Sequence, residues 1–574
     1  MTQNKNSRRH FLGQGLAFGA VGLLSPHQMF LNSLCRGLIQ DAQAAENNTG
    51  SAMNYVSMDV VGAPLRFTFD QWLRVYDDDP QILFNPMAAT KFKTKNPSGR
   101  NAAQAANDLE YATFKYKGMN APYLFSQMIN TSQGAVSLSQ LLDHMLMVRG
   151  FASGIDGHQI NATKMTLPVG GISSIAGLNA DQQKRTFDAV QWPDRNIRSA
   201  FYSEKGRSLI ALRGGAPLND LLNSFKRQTA AAEMHKLQDT RKSSMDLAIE
   251  RLSAYAKSSS AGASRLKSDF ANAKKLIQGG LADFNSFYNA NVQKYRSVVL
   301  GAIRTLDIEG ISDFQLISPL TNFEAGPWSI TLDTDLNSAL RTGFDFRQAL
   351  ASAEMHLLAE SLTVAEFLIT QKLCSSIELQ IAGSMALEMP YINDQGTVFG
   401  SKKTAATHDM HSTGAYLSLP ITNAIYRGIL AGIYEFSNAL KNTVDSDNKN
   451  MWEKTVVHLF SEFGRSTRSN ASGSDHGYNS MATSFFTGAV TDGPHVMGNI
   501  RVGGINASDY TGTQGLAAPI PGHNEPLPSP IAVASTLTQL LKTDRNPYNN
   551  LAWPLGKFEN GKWVVTQKAK LVGG

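Results

Sequence analysis

Cysteine is nearly missing from this 574-residue chain, which has two, Cys35 and Cys374. Stability therefore cannot come from a disulfide framework and has to rest on a hydrophobic core, for which the chain is long enough. Long apolar runs are missing too. The stretch Leu16–Leu24 is well short of the roughly 20 residues that span a bilayer, and later apolar stretches are broken by charges, so no stable membrane span is expected. Charge of one sign is equally scarce. Fifty-three lysines and arginines stand against 47 aspartates and glutamates, a formal +6, which gives no argument for a nucleic-acid partner.

What is present starts at the amino terminus. Ser7-Arg8-Arg9-His10-Phe11-Leu12 precedes the weakly apolar run, and Ala42-Gln43-Ala44 offers a small-x-small cleavage pattern. The segment 1–44 resembles a twin-arginine signal, which predicts a periplasmic or secreted protein. Leu34 before Cys35 argues against a lipoprotein anchor, where a small residue is wanted. Removing residues 1–44 takes away Lys5, Arg8, Arg9 and Arg36 with Asp41 and leaves Cys374 as the single thiol.

Along residues 45–574, Tyr55–Gly62 reads as a buried first strand with Asp59 near its end. Gln140–Met147 looks helical, and Met147–Ala152 reads as a short strand running into the glycine-rich Gly154-Ile155-Asp156-Gly157-His158. From Pro217 to Thr305 the composition shifts to Ala, Lys, Ser, Glu and Leu at helical spacing, which predicts an inserted helical hairpin. Phe344–Lys372 predicts a long helix and Ser376–Gly383 a strand. A loop with Gly396 and Gly400 then leads to Thr407-His408-Asp409-Met410-His411. Leu417–Leu440 predicts a helix before a strand at Val456–Phe460. Strands alternating with helices predict an α/β fold with a mostly parallel central sheet covered on both faces, whose ligands gather beyond the carboxyl ends of strands.

The run Val456–Gly477 is the most informative. A buried strand needs only its apolar residues, so Glu462, Arg465, Arg468, Asn470, Asp475 and His476 call for another explanation. Asp59, His158, Asp409, His411, Glu462, Asp475 and His476 all fall at or just after a predicted strand end. Carboxylates and imidazoles are the usual ligands of a divalent ion such as zinc or manganese, and Arg465 or Arg468 has the planar fork that grips phosphate or sulfate. Bland readings stand beside these. Asp409-Met410-His411 alone reads as a helix cap with a surface histidine, and Glu462 with Arg465 as a pair that closes a loop. His408 and His458 read as structural.

Several motifs together carry a resemblance: Ser7-Arg8-Arg9, Met147-Val148-Arg149-Gly150, Asp409-x-His411, Ser461-Glu462-Phe463-Gly464-Arg465-Ser466-Thr467-Arg468-x-Asn470 and Gly473-x-Asp475-His476. In this order they resemble an exported bacterial family known as domain of unknown function 1501, which looks like a distant branch of the alkaline phosphatase and sulfatase superfamily. The resemblance covers most of the chain outside Pro217–Thr305. It implies an alkaline-phosphatase-like sandwich with one or two divalent ions at the strand ends. Residue by residue, Asp59, Asp409 and His411 match acidic and histidine ligands, and Glu462 takes an acidic ligand's place. Phe463 stands where the superfamily has a histidine, which leaves His476, with Asp475, to supply the imidazole. The nucleophile's place is held by His158, with Thr163 as the nearby hydroxyl; His158 is a ligand or a nucleophile, or a metal-activated water attacks instead. Two functions follow as expectations. One is a metal-dependent hydrolase of small phosphate or sulfate esters. The other is a non-catalytic binding or assembly protein that presents the helical insertion to a protein partner.

Overall fold

The computed structural model describes residues 53–213, 286–305 and 355–572 apart from short stretches, the longest of them 94–108 and 502–514. The leader 1–44, Asn470 and most of the expected helical insertion lie outside the described residues.

Eight strands form the central sheet: β1 (Asn54–Val60), β2 (Met145–Phe151), β3 (Ala189–Asp194), β4 (Leu209–Arg213), β5 (Ser376–Ile381), β6 (Thr455–Phe460), β9 (Met481–Thr487) and β10 (His495–Met497). Between β6 and β9 the chain makes a separate hairpin, β7 (Gly464–Thr467) with β8 (Ser474–Gly477). The sheet order is β4-β3-β5-β1-β6-β9-β2-β10. All strands run parallel except β9, which lies antiparallel between β6 and β2. The fold is thus α/β with a mostly parallel mixed sheet.

The strands are apolar on both faces because both are covered. Val56, Met58, Val457, Leu459, Met145 and Met147 enter one core, and Tyr55, Val456, Phe460, Leu146 and Val148 enter another on the opposite face. Helices α1 (His158–Thr166), α2 (Ile175–Gln182) and α6 (Pro530–Leu540) supply the second core, while α4 (Met355–Thr370) and α5 (Ala415–Lys441) supply the first. The helix at residues 286–304, α3, was expected as the end of an insertion. Tyr295, Val299, Ala302 and Ile303 on it are buried in the first core, and Arg427 of α5 donates through Nε to the Ala302 carbonyl at 2.7 Å. This described end therefore belongs to the body of the domain.

Two further expectations are corrected. The segment before β2 is a 3-10 helix, Leu138–His144, with the strand beginning at Met145. The expected glycine loop before Thr407 is a two-stranded antiparallel ribbon, Ser384–Ile392 with Val398–Thr407.

Candidate metal centre

The parallel direction of β1, β2, β5 and β6 brings four chain segments to one edge. After β1 the chain turns at Gly62, whose φ of +94° favours a residue without Cβ, and an added Cβ would lie 2.8 Å from that of His408. After β2 it runs through Asp156 into α1, whose first residue is His158. After β6 come Glu462 and the β7–β8 hairpin, whose register sets Arg465 opposite His476 and Ser466 opposite Asp475.

His158, Asp409, His411 and His476 converge, with one donor atom from each lying within 4.8 Å of the others. Each imidazole is fastened from behind. The Nδ1 of His158 lies 2.7 Å from Glu462 Oε1, that of His411 3.4 Å from Asp475 Oδ1, and that of His476 against Asp156. An ionised carboxylate only accepts, so each Nδ1 carries a hydrogen and each Nε2 is the atom turned inward. There His158 Nε2 stands 3.3 Å from Asp409 Oδ2, and His411 Nε2 stands 3.2 Å from Asp409 Oδ1 and 2.8 Å from His476 Nε2. Lone pairs that face one another at such distances repel unless a proton or cation lies between them. The donor set of three imidazoles and a carboxylate fits a divalent ion.

The carboxylates are held ionised. Burial pulls Asp409 upward, but hydrogen bonds from His158 and Arg465 outweigh it and leave its carboxyl well below the usual range. Asp475 is brought down to about 2, because hydrogen bonds from His411 and Arg468 overcome its burial. His158 is pushed up to about 9 by its hydrogen bonds to Asp409 and Glu462. His476 is lowered, mainly by burial. The neighbouring positive charge of Arg465 acts in the same direction.

Phe463 forms the apolar floor, its ring centroid 4.2 Å from that of His476 and 4.8 Å from that of His158. The opposite side is open, with the His158 and His411 side chains 36% and 38% exposed.

The remaining expected site residues stand outside the group of four. Glu462 is fully buried and holds two things at once, the His158 ring and the Gly62 amide at 2.8 Å. Asp475 lies behind His411 and pairs with Arg468 at 2.9 Å. Asp59 is buried at the end of β1 beside Phe460 and Gln380. Arg465 is buried, and its donors go to the Ala63 and Gly62 carbonyls and to Asp409, which makes it a brace for that carboxylate rather than a reaching anion grip. The Thr163 hydroxyl donates to the Gln159 carbonyl of its own helix at 2.9 Å. Asp156 is the residue that sequence reasoning did not assign. Its signal was the spacing Asp156-Gly157-His158, which puts a carboxylate two residues before a ligand at the same strand exit.

Comparisons with family models, curated proteins and solved structures find no match to this chain.

Proposed function

We propose that this chain is an exported metal-dependent hydrolase of phosphate or sulfate esters, on a scaffold similar to the alkaline phosphatase and sulfatase superfamily. One observation carries the reading: three carboxylate-anchored imidazoles turn their Nε2 atoms, together with Asp409, to a single solvent-reached centre. A divalent ion, zinc or manganese by the donor set, would supply there a Lewis acid and a water of lowered pKa.

The chain's own residues prepare that place. His158, His411, His476 and Asp409 hold the ion. Glu462, Asp475 and Asp156 fix the ring tautomers, and Arg465 ties Asp409 to the turn after β1. Helix α1 begins at His158 with no side chain capping it, so its positive end adjoins the centre and favours an anionic ester. With Thr163 bonded inside its helix, attack by water suits this site better than attack by a protein hydroxyl.

The test is hydrolysis of 4-nitrophenyl phosphate and 4-nitrophenyl sulfate by protein purified without chelators, with elemental analysis of its metal. Near-stoichiometric metal with activity lost on chelation and in His476→Ala supports the proposal. Hydrolysis that survives both sinks it, and full metal occupancy without turnover of either ester would leave a binding centre only. Export is tested by Arg8→Lys/Arg9→Lys in a bacterium with a twin-arginine translocase. The variant should stay in the cytoplasm, and unchanged export would remove that part of the reading.

A further inference from the structure

We propose that the opposite end of the sheet carries a second site, independent of the metal, for a small ligand bearing several phosphate or sulfate groups. A cavity of about 640 Å³, within the usual range for small-molecule sites, opens there. Its walls come from the amino-terminal side of the parallel strands: His144 precedes β2, Trp452 and Glu453 precede β6, and Gly488 follows the antiparallel β9. The metal centre lies beyond the other ends of β2 and β6, roughly 20 Å away at about 3.3 Å per strand residue.

Three lysines line this cavity, Lys441, Lys449 and Lys542, against the single carboxylate of Glu453. Among the described residues none of the three ammonium groups makes an ion pair or hydrogen bond. The contrast with their neighbours is sharp. Lys372 pairs with Asp445 at 2.8 Å and Lys454 pairs with Asp447 at 2.7 Å, so the acidic residues of this turn are committed to lysines outside the cavity. All three lysines are exposed where they line the cavity, and the pKa of Lys542 is lowered by burial of part of its side chain and by the like charges of Lys449 and Lys454. Lys542 also follows α6 at φ +52°, a left-handed position where glycine is the usual choice, and its ammonium lies 5.2 Å over the Phe558 ring. The Nδ1 of His144 donates to the Val490 carbonyl at 2.7 Å, and burial favours the neutral ring, so its Nε2 can accept from a ligand hydroxyl. Lys449 and Lys542 repel one another, and with Lys441 on the same wall the three outnumber the one carboxylate of Glu453, an excess of positive charge that an anion of several charges would relieve and for which lysine is a point-charge partner.

The test is calorimetric titration of the full chain with tripolyphosphate and, separately, with a trisulfated disaccharide, in the presence of a chelator that keeps the metal centre empty. Saturable one-to-one binding is expected for at least one of them, and the tighter one identifies the group. It should weaken about tenfold or more in Lys441→Gln/Lys542→Gln and stay unchanged in His476→Ala. Should the double variant misfold, Lys449→Gln on its exposed turn should alone weaken binding severalfold. Absence of saturable binding by either probe, equal affinity in the lysine variants, or loss in His476→Ala would each overturn the proposal, the last by placing the anion at the metal centre.

Discussion

Among the described residues, His158, His411 and His476 differ from the other histidines in what lies against Nδ1 of the ring. Each has a carboxylate at Nδ1, which fixes the tautomer and leaves Nε2 as a donor atom. Glu462 is the most constrained of these partners, because it also accepts from the Gly62 amide. Glu462→Gln should therefore lower affinity for zinc by about 10- to 100-fold, read by competition with a chromophoric chelator. His458 shows the opposite case. It is fully buried in β6, where Nδ1 meets the Tyr55 hydroxyl and Nε2 the Thr483 hydroxyl, both at 2.9 Å. Thr483 donates onward to the Leu459 carbonyl, so its oxygen accepts from His458 and the Nε2–H tautomer is set. Burial pushes this ring down to about 3. Its folded pKa lies below the ordinary 6.5, so the native state binds fewer protons, and its contribution to stability is complete above pH 6.5 and lost as pH falls toward 3. Urea midpoints should fall steeply between pH 6 and pH 4 in the wild type. In His458→Gln the fall should be shallower, from a lower starting stability at pH 7, and parallel curves would refute the assignment.

The β7–β8 hairpin is the element that turns a strand exit into a site. It sets His476 across from Arg465 and Asp475 across from Ser466, so the ring, its neighbour's brace and the second carboxylate arrive together. Its attachment depends on Gly464, where an added Cβ would come within 1.8 Å of the Ser480 carbonyl oxygen. Gly464→Ala should cost about 2 kcal/mol or more and reduce metal affinity, since backbone cannot yield as a flexible side chain does. Thermal melts with and without zinc would check both effects, and a variant equal to wild type in each would count against this role. None of this hairpin was visible as strand in the sequence, because Gly464-Arg465-Ser466-Thr467 carries no apolar alternation. The ribbon Ser384–Ile392 with Val398–Thr407 was missed in a similar way, since Gly396 and Gly400 read as loop residues. By contrast β1, β5, β6 and helix α5 were legible, because burial on both faces of a sheet or along a long helix writes a continuous apolar pattern.

At the scale of the whole molecule, binding of an ion at this centre would be linked to stability. Because the ligands come from α1, the segment before α5, and the β7–β8 hairpin, an ion that binds only when these meet must stabilise the fold. Zinc or manganese at about 100 times its dissociation constant should add roughly 2.7 kcal/mol and raise Tm by about 2 °C in a chain of this size. The shift should vanish in His411→Ala and His476→Ala; a shift that persists in both would place the ion elsewhere. The sequence by itself determined the α/β class, the edge of the sheet where the imidazoles and carboxylates converge and most of the residues that meet there, because apolar periodicity and abrupt polar strand exits are local properties. Only the tertiary structure decided which side chains face the centre and which stand behind them. Glu462 and Asp475 became anchors, His158 joined Asp409, His411 and His476, and Asp156 entered the site. Those roles depend on the register of one hairpin and on side-chain directions across segments more than 300 residues apart, such as His158 and Glu462, which no local pattern encodes.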